Sequence, residues 1–339
     1  MTQHTQAQLP PQAILLDLLC GMMKTQAIHH ATRLGIASLV EDGPKSTVEL
    51  AKATETQPEA LYRLLATLAS LGIFEEVEIG SFAQTPLSAL LRPDVPGSMY
   101  NVSLLHGEQW QWHSWEAFAH SLQTGQTAFE QLYHTNLWGY FQDHPDVAER
   151  FSKAMTGFST PVNAPLAHAY NFSQFHTLVD IGGGHGSLLA TLLHTNPTLQ
   201  GILFDLPSVI EEARASIAAS DIADCCELVA GDIFVKVPEA DGYFMKQIIK
   251  DWNDEECIHI LSNCRKSMRP NGRVLVAEQV LLPGKTMTTA KLIDLQLMAV
   301  SSGSERYEFQ YRSLFERSGL RLVHIWPTHS PYSILEGAV

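Results

Sequence analysis

The run TLVDIGGGHGSLL, residues 177 to 189, restricts the fold more than any other stretch of the chain. Its β-forming residues stop at Asp180 and give way to Gly182, Gly183, Gly184 and Gly186, followed by an apolar helical pattern, so it reads as strand, tight turn, helix. Glycine suits such a turn because a Cβ would block both the left-handed dihedrals and the approach of a ligand to the backbone. The helix that follows offers free N–H groups to something electron-rich.

Spacing separates two nucleotide readings. A dinucleotide fingerprint is GxGxxG, whereas Gly182, Gly184 and Gly186 give GxGxG, and Ser187 stands where the third glycine would be. An NAD site is therefore disfavoured. A second strand, GILFDLP, ends in Asp205 about 20 residues beyond the loop, where a carboxylate can take both hydroxyls of a ribose. Two such strand ends facing one crevice predict a nucleoside site. Further strands read as CCELVAGDIF, ending in Asp232; ADGYFMKQII, carrying Lys246; and GRVLVAEQVL. Helical patterns alternate with these strands, and RLVHIWPT and YSILEGAV are joined by a connection so short that they must run antiparallel. The expected fold class is α/β, with a Rossmann-like, mostly parallel, seven-stranded sheet and one reversed strand.

DIGGGHGSLL, FDLPSVI, GDIF, KDWNDEEC and VLVAE, in that order, resemble the S-adenosylmethionine-dependent O-methyltransferases of small phenolic molecules, the family of plant caffeate-type enzymes, hydroxyindole O-methyltransferase and bacterial tailoring enzymes. The resemblance covers nearly the whole chain. It implies S-adenosylmethionine as cofactor, with Gly182 and Gly184 against the methionine end, Asp205 on the ribose, Asp232 and Ile233 framing the adenine, Lys246 bordering the methionine half and Trp252 as a wall. Asp180, closing the first strand, and Leu206, beside Asp205, belong to the same implied cofactor set.

The first hundred residues have another texture. Ala13 to Leu39 carries apolar residues at helical spacing, Ser46 or Thr47 can cap the helix VELAKAT, Pro58 opens PEALYRLLATLASLG, Gly72 closes it, and IFEEVEIGSFAQT reads as a hairpin. Helix, turn, helix, hairpin is a winged-helix pattern and raises a DNA-binding regulator as a rival. Charge argues against it: the would-be recognition helix from Glu59 to Leu71 has one cation, Arg63, and the chain carries a formal net charge of −14. The resemblance makes the module a dimerisation domain, and Leu15, Leu16, Leu18, Leu19, Met22 and Met23 fit a homodimer interface. The expected divisions are a winged-helix-like domain over 1–103, a helical linker over 104–165 and a cofactor-binding domain over 166–339. In the linker, His106, Trp110, His113, Trp138, Met155 and Phe158 are the substrate-pocket candidates that the resemblance suggests.

The partners expected are a small-molecule substrate and a second copy of the chain, with no nucleic acid and no membrane, since Ala13 to Met23 is too short to span a bilayer and contains Asp17. Five cysteines without a CxxC pair or a secretory signal fit a reducing cytoplasm, and the histidines show no metal-ligand spacing.

Transfer of a methyl group to a hydroxyl needs an aligned acceptor oxygen and loss of its proton. The resemblance places a histidine for that task just before the Asp-Trp pair, oriented by two glutamates. The glutamates have counterparts in Glu278 and Glu305, but Lys250 occupies the histidine's position. Bringing a lysine from pKa ~10.4 to neutrality takes about three units, near 4 kcal/mol, and Glu278, Glu305 and Asp251 push the other way. A charged Lys250 that stabilises an anionic or polarised substrate oxygen is thus expected. It leaves open an O-methyltransferase acting on an acidic hydroxyl, with His106 or His113 as another candidate base. It also leaves open a relative that keeps the cofactor without transferring its methyl and performs decarboxylation, hydroxylation or a pericyclic reaction, or a Lys250 engaged only in an ion pair with Asp254 or Glu255.

Overall fold

Local rules explain the N-terminal elements of the computed structural model, which describes residues 10–286 and 288–339; the first nine residues of the expected first domain lie outside the described residues. The apolar stretch to Leu39 forms three helices, α1 (Pro11–Leu19), α2 (Gly21–Arg33) and α3 (Ile36–Leu39), with Gly35 turning at φ 67° between the last two. A two-residue strand β1 (Lys45–Ser46) leads into α4 (Thr47–Thr54), where Ser46 and Glu49 make a reciprocal capping box. Pro58 opens α5 (Pro58–Ser70), and Gly72, at φ 76°, follows its end. The hairpin of β2 (Phe74–Glu78) and β3 (Ser81–Gln84) joins β1 in a sheet ordered β1-β3-β2. Ile36, Leu50, Leu61, Leu65, Leu68, Phe74 and Phe82 form the core beneath it.

Next come α6 (Pro86–Ala89), α7 (Tyr100–Leu105), α8 (Gln109–Glu116), α9 (Phe118–Thr124), α10 (Ala128–Tyr133), α11 (Leu137–Asp143) and the long α12 (Pro145–Ala169). Two compact units result. One holds the described residues up to Trp112 with Asp146–Phe158, and the other holds His113–Pro145 with Ser159–Val339. The stretch expected as a separate linker is shared between them, and α12 continues past position 165 to Ala169 despite Pro161 and Pro165 within it.

The second unit contains β4 (Thr177–Ile181), α13 (Ser187–Thr195), β5 (Gln200–Asp205), α14 (Pro207–Ala218), β6 (Cys226–Ala230), β7 (Ala240–Lys246), α15 (Asp254–Ser267), β8 (Met268–Glu278), β9 (Val280–Leu281), α16 (Thr289–Val300), β10 (Arg306–Tyr307), α17 (Glu308–Arg317), β11 (Arg321–Pro327) and β12 (Ser333–Ala338). Seven strands form one sheet in the order β11-β12-β8-β7-β4-β5-β6, and β12 alone is reversed. Both faces are covered, with Leu178, Leu203 and Phe244 on one side and Val179, Ile202 and Met245 on the other, which is why these strands read as continuous apolar runs. Chain order reverses between β4 and β7, and a sheet of this type opens its ligand crevice at the carboxyl ends beside such a point. The two-residue parallel pair β9 and β10 lies apart from the main sheet. Among the described residues no helix is long and apolar enough to cross a membrane.

Candidate active site

At the carboxyl end of β4 the chain takes left-handed dihedrals at Gly182 (φ 65°), Gly184 (φ 57°) and Gly186 (φ 80°), so glycine is required by conformation. A Cβ on Gly182 would overlap Ile248 Cδ1, and one on Gly183 would stand 2.7 Å from Asp180 Oδ2. Space beside Gly184 is open. Asp205, ending β5, is stitched to this loop: Oδ2 accepts from Gly184 N at 2.9 Å and Oδ1 from Leu206 N at 2.7 Å, while burial raises its pKa. Each carboxylate oxygen keeps a second lone pair for a hydroxyl. Leu206 is half exposed beside it.

Beneath the loop lies Asp180, 1% exposed, with Oδ2 lacking a hydrogen-bond partner within the protein. Burial pushes its pKa up to about 7 against the pull of Lys246. Lys246, at the end of β7, donates to Asn163 Oδ1 at 2.6 Å, and burial brings its ammonium down to about 8. Asn163 in turn donates to Ser187 Oγ, in the first turn of α13. This hydrogen-bonded chain ties the glycine loop's helix to the end of β7; nothing in the local sequence marks Asn163, which lies on α12, 83 residues from Lys246.

Beyond β6, Gly231 N donates to the Asp205 carbonyl, so the loop carrying Asp232 and Ile233 starts beside the ribose-binding candidate. Asp232 is exposed and caps its own turn by accepting from Phe234 N, and Ile233 is half-buried against the sheet. Trp252 stacks on Trp138 with centroids 6.0 Å apart and meets Phe234 edge-on at 4.8 Å, so a pocket candidate and a wall candidate form one aromatic cluster.

Lys250 sits in a single 3-10 turn, Ile249–Asp251, entered through Gln247, whose φ of 59° is a strained value for a side-chain-bearing residue. Its backbone N–H donates to Glu278 Oε1 at 3.2 Å and its Nζ to Asp251 Oδ1 at 2.6 Å. Burial disfavours the ammonium, but Asp251, Glu278 and Glu305 outweigh it and lift the pKa above the ordinary lysine value. The ammonium's own hydrogen bond is thus to Asp251, whereas the two glutamates act on it through space. Glu278 (0% exposed) and Glu305 (3%) each keep an oxygen without a partner in the protein; burial raises Glu278 well above the usual carboxylate range and Glu305 to about 7. The surface ion pair left open for Lys250 is not formed: Asp254 pairs with Arg306 and Glu255 with Arg317. Gly303 packs flat on this turn, where a Cβ would overlap the Lys250 carbonyl oxygen and stand 2.7 Å from Asp251 Cα.

Of the remaining pocket candidates, His106, Trp110, Met155 and Phe158 fall in the first unit and His113 in the second. His106 meets Phe158 edge-on at 6.2 Å, and partial removal from water by the surrounding protein lowers its pKa although the residue as a whole is exposed. Trp110 is buried at 3%, Met155 is half-buried on α12, and His113 Nδ1 lies 3.1 Å from the Tyr133 hydroxyl.

Known proteins resemble this chain over most of its length. Residues 115–321 match the model of the O-methyltransferase domain, and residues 16–94 that of the O-methyltransferase dimerisation domain. The chain is 40% identical to the phenazine O-methyltransferase PhzM of Lysobacter antibioticus, over 99% of each chain. It is 36% identical to the mitomycin biosynthesis 6-O-methyltransferase of Streptomyces lavendulae, over 98% of this chain and 96% of that one. Among solved structures, CalO1, a methyltransferase of calicheamicin biosynthesis in its SAH-bound form, superposes with a TM-score of 0.85 at 33% identity, covering 97% of this chain and 99% of that one.

Proposed function

The chain belongs to the O-methyltransferase family, and from that membership we propose that it transfers a methyl group from S-adenosylmethionine to an acidic hydroxyl of a small aromatic or enolic metabolite. The observation that carries the acceptor class is the Lys250 ammonium, held on Asp251 at 2.6 Å where the family resemblance places a neutral base.

The residues present fit the cofactor, since the orphaned Asp180 oxygen, the open face of Gly184 and the anchored Asp205 carboxylate offer a nucleoside with an amino-acid tail its polar partners. S-adenosylmethionine, when bound, supplies an electrophilic methyl group. Asp205 would accept from the ribose hydroxyls, Asp232 and Ile233 would frame the base, Leu206 would cover the ribose side, and Lys246 would border the methionine half. Lys250 has three N–H donors and uses one on Asp251, so two remain for a substrate oxygen. A hydroxyl of low pKa arrives already ionised, its proton released to water, and the ammonium holds the oxyanion in a site where burial strengthens the attraction. Trp138 and Trp252 offer an aromatic face to a flat acceptor, and His113 is a further pocket candidate of the same unit. The relatives named above are methyltransferases, which supports transfer of the methyl group over its retention.

The test is incubation with methyl-labelled S-adenosylmethionine and a panel of quinols, enols and electron-poor phenols beside plain phenols. Label in the acidic acceptors with equimolar S-adenosylhomocysteine is expected. A product of unchanged mass, or none with any acceptor, would sink the proposal.

The active form is a homodimer through the first unit, located in the cytoplasm. Leu15, Leu16, Leu18, Leu19, Met22 and Met23 are 56–70% exposed on one chain, more apolar surface than a solvated helix favours. Light scattering at micromolar concentration should give twice the chain mass of 37.5 kDa. A stable monomer with α1 and α2 still folded rules the dimer out.

A further inference from the structure

We propose that Arg306 is the positioning residue of the catalytic turn: one buried guanidinium fixes the backbone on both sides of Lys250 and the start of the segment that carries Glu305. Arg306 is 1% exposed, and a charge so deeply buried persists when hydrogen bonds replace its water. A guanidinium carries five N–H donors in a planar fork. All five find acceptors. Nε and Nη2 donate to Asp254 Oδ1 at 3.0 and 2.8 Å, Nη1 to the Ile249 and Ser304 carbonyls at 3.0 and 3.1 Å, and Nη2 to the Trp252 carbonyl at 2.8 Å.

Ile249 and Trp252 bracket the Lys250–Asp251 pair, and Ser304 immediately precedes Glu305. Arg306 itself pairs with Val280, two residues beyond Glu278, so the same short ladder links it to the other glutamate. The direction of Lys250 Nζ depends on the backbone that this fork holds, because the lysine's own contacts are to Glu278 through its N–H and to Asp251 next to it. Lysine at 306 would keep the charge but lose the fork, having three donors on a flexible stem. The inference rests on the proposed role of Lys250.

Arg306→Lys should lower kcat about tenfold or more, as a displaced catalytic group does. KM for S-adenosylmethionine should change much less than kcat, since Gly182, Gly184, Asp205 and Asp232 lie on other segments and only Trp252, of the cofactor candidates, is held by the fork. Amide exchange across residues 248–253 should accelerate, and in a Lys250→Met background the same substitution should cost little more, because the group it positions is gone. Asp254→Asn keeps an oxygen acceptor and the three carbonyl contacts, and serves if the lysine variant fails to fold; it should lower kcat a few-fold and speed the same exchange. A folded Arg306→Lys with unchanged kcat and unchanged exchange overturns the proposal. So does a uniform loss of kcat, cofactor affinity and melting temperature that adds fully to Lys250→Met, which marks a plain core residue. If Lys250→Met retains full activity, the catalytic reading of Lys250 fails instead, while the exchange measurement still reports on the clamp.

Discussion

Lys250→Met is expected to lower turnover by roughly 10²–10³, the loss that follows removal of one preorganised oxyanion donor, about 2.7–4 kcal/mol of transition-state stabilisation. Methionine keeps most of the side-chain volume and removes the charge and donors, so the fold should survive. Arginine should retain part of the activity, because it stays cationic and still donates, although its planar fork cannot reproduce the ammonium's geometry. If lysine were instead a proton acceptor, Lys250→Arg would be as inactive as Lys250→Met, since arginine accepts no proton at any working pH. The pH dependence separates the two roles as well. Asp251, Glu278 and Glu305 raise the lysine pKa, so the ammonium persists through neutrality and no rise in rate there should come from its deprotonation. A rate that climbs through neutral pH on plain phenols and is lost in the arginine variant would refute the charged-lysine account. Lys250→His places an imidazole beside Glu278 and Glu305, and gain of transfer to a simple phenol is the expected result.

Asp205→Ala should weaken S-adenosylmethionine binding by about 1.5–3 kcal/mol, the range for hydrogen bonds to a charged group. Two losses combine here. The ribose hydroxyls lose their acceptor, and the N–H groups of Gly184 and Leu206 lose the carboxylate that holds the loop in place. Asp205→Asn keeps one oxygen for the loop and should fall between the parent and the alanine variant. Calorimetric titration with the cofactor reads both, and unchanged affinity in Asp205→Ala would remove this residue from the site.

The seven-stranded sheet was legible because each of its strands is long enough to show an apolar run and a turn signal, and the reversed strand followed from the short link between Pro327 and Ser333. The glycine loop and Asp205 were legible for the same reason, since local sequence sets the turn and the strand end. The β9–β10 pair was not, because two residues per strand carry no periodicity. Asn163 and Arg306 escaped for another reason: their partners are distant in sequence, and Arg306 follows Glu305 without any spacing that announces a clamp. The three acids expected around Lys250 are present, but only the fold shows that Asp251 is the one that accepts from its ammonium.

Gly303 lies so close to the Lys250 carbonyl that any Cβ would collide with backbone, which cannot swing away as a side chain does. In a saturation library that position should therefore return the parent residue alone, while other side chains at position 250 change the activity and leave the backbone contact with Gly303, and with it the fold, intact. Laboratory diversification of the acceptor range accordingly has a fixed platform and a variable tip: new chemistry enters through the residue displayed, and the surface that displays it is inherited unchanged.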